Sequence, residues 1–80
     1  MKNPWITFDI ILNGGHRVLH SNKASYDDIV ALAYPYARDV LYSITYSKGP
    51  AANQQGILSP GQVVQVQNGM NFNAYFTGNA

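Results

Sequence analysis

Apolar residues alternate with polar ones over 5–12, WITFDIIL, where Ile6, Phe8, Ile10 and Leu12 share one face. That period of two predicts a strand with its even face inward. Asn13-Gly14-Gly15 follows, and Asn and Gly both accept positive φ, so a tight hairpin into HRVLHS (16–21) is expected. Two registers fit the pattern. A Gly14-Gly15 turn pairs Ile10 with Leu19 and sets Asp9 opposite His20, whereas a three-residue turn pairs Ile10 with Val18.

The period then changes. Ile29, Leu32 and Ala33 follow i, i+3, i+4 spacing, the stripe of a short helix packed on a sheet. Its start is marked by Ser25 and Asp28, spaced to exchange backbone hydrogen bonds as a capping box. Ala24 and Ile29 are placed for a hydrophobic staple, and Asp27 and Asp28 suit the positive end of the helix dipole. Pro35 disfavours helical geometry at Tyr34 and ends the helix there. Two to three turns do not persist alone in water, so the helix needs a sheet beneath it.

Alternation returns in VLYSITYS (40–47), with Val40, Tyr42, Ile44 and Tyr46 on one face. GPAANQQG (49–56) reads as a loop, and GQVVQVQ (61–67) as a fourth strand with Val64 and Val66 inward. Asn68-Gly69 is a second hairpin signal. MNFNAYFTGNA (70–80) supplies a fifth strand through Met70, Phe72, Ala74 and Phe76. The order ββαβββ predicts an α+β protein, one mixed sheet of about five strands curled over one short helix. The first and last strands are expected side by side, central and parallel, which is the β-grasp plan. One domain over 1–77 results, and a central last strand delivers 78–80 at the end of the sheet as an exposed tail.

Composition narrows the function. Eighty residues hold one core. With no cysteine, neither disulfides nor thiolate metal sites can form. The net charge is +1, and five scattered Lys and Arg make no phosphate-tracking stripe, which argues against nucleic acid. No apolar run approaches the ~18 residues of a membrane span, and the N-terminus lacks the pattern of a signal peptide. Cytoplasmic location is the default expectation.

Catalytic and metal-binding candidates are weak. His16 and His20 would stand about 13 Å apart along a strand at ~3.3 Å per residue, too far to share an ion. Surface roles fit them better, with His20 beside Asp9. Glutamate is absent, and nothing in the pattern converges Asp9, Asp27, Asp28 and Asp39 into a hydrolytic pair. No nucleophile-elbow or phosphate-loop signature occurs. No catalytic residue, metal or cofactor is expected, and the chain does not read as an enzyme. The lysines, Lys2, Lys23 and Lys48, carry no mark of an acceptor site. Aromatics are the better lead. Trp5, Ile11, Tyr34, Tyr36 and Tyr75 are hard to fit into so small a core, and exposed aromatics are enriched where proteins bind. On the outward positions of the third and fifth strands stand Leu41, Ser43, Thr45, Asn71, Asn73 and Tyr75. A partner surface is expected at Leu41, Ser43, Thr45, Asn73 and Tyr75, with Leu41 and Tyr75 as its anchors.

"SYDDIVALA", "YSITYSKGP" and "PGQVVQVQNGMNFN" in collinear order resemble the bacterial multiubiquitin family of ubiquitin-like domains, over roughly residues 6–77. The resemblance implies a ubiquitin-like protein modifier. Its partners would be an adenylating activating enzyme, a conjugating enzyme with a catalytic cysteine, and a peptidase that processes the C-terminus. The modifier's carboxylate would be adenylated, passed to cysteine as a thioester and joined to a target amine, in systems linked to defence against phage. The conjugation tail would be Thr77, Gly78, Asn79 and Ala80. Ubiquitin ends in two glycines and this chain does not. Gly78, without a Cβ to crowd the carbonyl, is the natural acyl residue if Asn79-Ala80 are trimmed. Otherwise the Ala80 carboxylate reacts, or the chain is never conjugated and serves as a non-covalent interaction module. A sulfur carrier is a third class.

Overall fold

A computed structural model describes residues 5–36 and 40–79. The chain runs β1 (Phe8–Leu12), β2 (Gly15–Leu19), β3 (Lys23–Ser25), α1 (Tyr26–Ala33), β4 (Val40–Ser47), β5 (Gly56–Leu58), β6 (Val63–Gln65) and β7 (Met70–Asn79). Five strands form one sheet in the order β2-β1-β7-β4-β5, and β3 pairs with β6 in a small second sheet. β1 and β7 are neighbours and parallel, while every other pair is antiparallel. The last strand is therefore the middle strand. This is the α+β, β-grasp architecture expected from the alternation.

The core is built by the inward positions of those strands and one face of α1. Ile10, Ile29, Ile44, Leu58, Met70 and Phe72 are fully buried. No buried side-chain polar atom among the described residues lacks a partner, as a close-packed interior of this size requires. Helix α1 starts as its sequence dictates. The Asp28 N–H donates to Ser25 Oγ at 3.0 Å, and the Ser25 N–H donates to Asp28 Oδ2 at 3.1 Å. Ala24 and Ile29, the staple positions, are both completely buried, and the helix ends at Ala33, two residues before Pro35.

Several expectations are corrected. The first hairpin uses neither predicted register. Asn13 (φ 52°) and Gly14 (φ 80°) form the two-residue turn, Leu12 faces Gly15, and Ile10 pairs with Arg17. Two successive positive-φ residues match the right-handed twist of the strands, and Asn13 is further held there by its side chain, described below. Asn68-Gly69 is a turn but not a hairpin. β6 pairs with β3 instead of β7, because the Asp9 N–H donates to Asn68 Oδ1 (2.9 Å) and the Gly69 N–H to the Asp9 carbonyl (2.8 Å). Those bonds turn the chain toward β1. Strands β3 and β5 are additional, each three residues long. Ile6 and Phe76 are on the expected inward parity but lie past the ends of the core, 40% and 58% exposed.

Candidate functional site

The central strand β7 and its neighbour β4 outrun β1 and β5, and side chains take over where those shorter strands stop. β1 pairs with β7 only as far as Leu12, opposite Phe72. Asn13 then donates its N–H to the Phe72 carbonyl at 3.0 Å. Its carboxamide carries the ladder one step further, accepting from the Ala74 N–H at 2.7 Å and donating to the Ala74 carbonyl at 2.9 Å. One amide side chain thus presents the donor and acceptor that a strand residue would. On β4 the phenol of Tyr26 does the same at Tyr42, where β5 has ended. It accepts from the Tyr42 N–H at 2.9 Å and donates to the Tyr42 carbonyl at 3.3 Å. Tyr34, expected to be hard to bury, is half-buried. Its ring stacks on Tyr42 at 4.4 Å and its hydroxyl donates to the Ala74 carbonyl at 2.7 Å. Phe76 meets the Tyr42 ring edge-on at 6.3 Å.

Beyond this aromatic end β7 continues along β4 alone. Tyr42 pairs with Phe76 and Leu41 with Gly78, so Thr77 is an extra residue, a β-bulge. Thr77 Oγ1 donates to the Leu41 carbonyl at 3.1 Å. The ladder reaches Val40 opposite Asn79. Residues 78 and 79, expected as an exposed tail, therefore extend the strand, and Gly78 is half-buried. The bulge is the physical reason. It absorbs the end of the regular register and lets pairing resume. A Cβ at Gly78 would meet nothing within 4 Å. Ala80 lies outside the described residues, as do Lys2 and Asp39.

The outward face of β4 and β7 brings the expected surface residues together. Ser43 pairs with Tyr75, Thr45 with Asn73, and Leu41 with Gly78. Leu41 (43% exposed) and Tyr75 (51%) are its large side chains. A shallow cavity of about 230 Å³ opens there, between Leu41, Ser43, Ile57, Pro60 and Thr77. Ile57, on β5 beside Thr45 of β4 and 66% exposed, gives this surface an apolar anchor that the alternation missed. A three-residue strand is too short to announce itself by period. The anchor at Ile57 and the cavity make the face less polar than its β4 and β7 positions suggested.

The histidines serve locally. His16 Nε2 is 2.8 Å from Asp9 Oδ1, both side chains exposed, and His20 Nδ1 is 3.2 Å from the Ile6 carbonyl. Asp9 therefore meets His16, not His20, because the Asn13-Gly14 turn shifts the register. Among the described residues no group of three His, Asp or Glu side chains could hold a metal ion, and no helix is long and apolar enough to cross a membrane.

A single helix cradled by a mixed sheet, with parallel first and last strands at its centre, defines a ubiquitin-like domain of the β-grasp class. The multiubiquitin family model matches residues 8–78, and the chain belongs to that family. No curated protein and no solved structure matches it.

Proposed function

We propose that this chain is a protein modifier whose C-terminal end is activated and transferred by partner enzymes. The observation that carries the reading is the course of β7. It is the central strand, and it runs on past β1 to bring Gly78 to the end of the sheet, beside the Leu41–Tyr75 surface. A peptidase cleaves after Gly78 and leaves the Gly78 carboxylate. An adenylating enzyme joins that carboxylate to AMP from ATP, releasing pyrophosphate. The thiolate of a conjugating enzyme displaces AMP to form a thioester, and a target amine displaces the thiol. The chain supplies the acyl group and a recognition surface at Leu41, Ser43, Thr45, Asn73 and Tyr75, while catalysis belongs to the partners. It works in the cytoplasm, in a system of the kind linked to defence against phage.

One observation favours a second reading. β7 stays paired through Asn79, as suits a non-covalent interaction module with an inert C-terminus. Incubation of the chain, both whole and ending at Gly78, with its activating enzyme and ATP, followed by intact mass and non-reducing gel analysis, separates the two. The modifier reading expects an adenylate or thioester that deletion of residues 78–80 abolishes. If no adduct forms while partner binding survives, the module reading holds. A thiocarboxylate at the mature C-terminus would instead identify a sulfur carrier.

A further inference from the structure

We infer that β7 is two structures in one strand: a permanent segment over 70–76 and a detachable latch over 77–79 that opens to present Gly78. The purpose of the latch rests on the modifier reading; its existence does not.

Residues 70–74 are held on both sides. β4 pairs along one edge, and β1 followed by the Asn13 carboxamide lines the other. Met70, Phe72 and Ala74 are also buried. Past Phe76 only the β4 edge remains, and the second edge and the burial have gone. β1 has ended, and Thr77 interrupts the ladder so that pairing beyond it does not continue the register before it. Opening 77–79 uncovers little apolar surface, since Thr77 is exposed, Leu41 is already 43% exposed and Gly78 has no side chain. The one side-chain fastener described is the exposed Thr77 hydroxyl on the Leu41 carbonyl. Few buried contacts and solvent-exposed ladder bonds mark the low end of local stability. A bulge placed there sets where opening stops. Phe76, packed edge-on against Tyr42, stays behind. An acyl donor needs its glycine extended and clear of the parent sheet, and the latch meets that need while keeping a strand end covered at rest.

The test reads one strand against itself. The Tyr42 N–H is turned to Tyr26, so by strand alternation those of Leu41, Ser43 and Thr45 all point at β7. Hydrogen exchange followed by NMR on the whole chain should show the Leu41 amide about 100-fold less protected than those of Ser43 and Thr45. Equal protection would overturn the latch. A disulfide supplies the second measurement, since the chain contains no cysteine to interfere. Val40 and Asn79 are paired, and antiparallel partners lie about 4.5–5.5 Å apart, within disulfide reach. In the V40C/N79C variant, oxidation should raise Leu41 protection at least about tenfold toward that of Ser43, with reduction reversing it. No change on closure would show that the segment was already closed, and failure of the bridge to form would refute the pairing itself. Either result sinks the inference. If the latch opens as described and the activating enzyme still forms no adduct, the modifier reading fails on its own.

Discussion

Replacing Asn13 by glycine isolates the contribution of one carboxamide to the central strand. Both residues accept the positive φ of 52° at this position, and glycine does so without strain, so the turn survives. The substitution removes the bonds to the Ala74 N–H (2.7 Å) and carbonyl (2.9 Å), which span 61 positions of sequence and are partly buried. Each such bond is worth about 0.5–1.5 kcal/mol net. The carbonyl keeps the Tyr34 hydroxyl, so the orphaned group is the N–H, and water reaches part of the site. The sum is about 1–3 kcal/mol, less a few tenths by which glycine fits the turn better. A domain of this size holds about 4–12 kcal/mol in all. The loss should therefore be plain in urea unfolding as a lowered midpoint at unchanged slope. Asn13→Asp sharpens the measurement. It keeps an acceptor for the N–H but sets a carboxylate oxygen against the Ala74 carbonyl, so it should lose at least as much at neutral pH. If Asn13→Gly costs less than about 0.5 kcal/mol, the carboxamide is not replacing a strand residue and its good geometry carries no energy.

Tyr26→Phe retains the ring and removes the hydroxyl shared by both backbone groups of Tyr42, and chemical denaturation should show a loss of about 1–2 kcal/mol. Gly49→Ala places a Cβ 2.6 Å from the Asn53 carbonyl oxygen at a buried position, so the 48–55 loop must shift. Its Tm should fall by several degrees, about 4–8 °C for each kcal/mol lost. His16→Gln removes an exposed partner of Asp9 and should change unfolding free energy by less than about 0.5 kcal/mol; a larger loss would mean that the pair is structural.

Long segments with a single environment are legible in the sequence alone. β4 occupies the span its alternation marked, and Ser25 and Asp28 cap α1 by a local rule that needs no tertiary partner. What escaped was decided at a distance. The choice of Asn13-Gly14 over Gly14-Gly15 is settled on Ala74, and the fate of Asn68-Gly69 on Asp9. Neither contact leaves a trace in nearby residues. Tyr26 opens α1, yet it is buried and completes the edge of β4, a role fixed only when Tyr42 arrives. The candidate surface was legible where it lay on β4 and β7. Its Ile57 anchor was not, because β5 is too short to show a period. Phe76 kept the right parity and lost its burial, since alternation reports which way a side chain points and not how far the core extends.

The parallel contact of β1 with β7 also governs how this domain comes into being. These two strands lie near opposite ends of the described chain, so the sheet has no centre until residues 70–76 have left the ribosome. Until then β2-β1 and β4-β5 are separate hairpins with nothing to join them, and closing the loop between β1 and β7 is an entropic toll met before any reward. Folding of the sheet must wait for its last strand, and a nascent chain halted short of Phe72 would be left to chaperones and proteases.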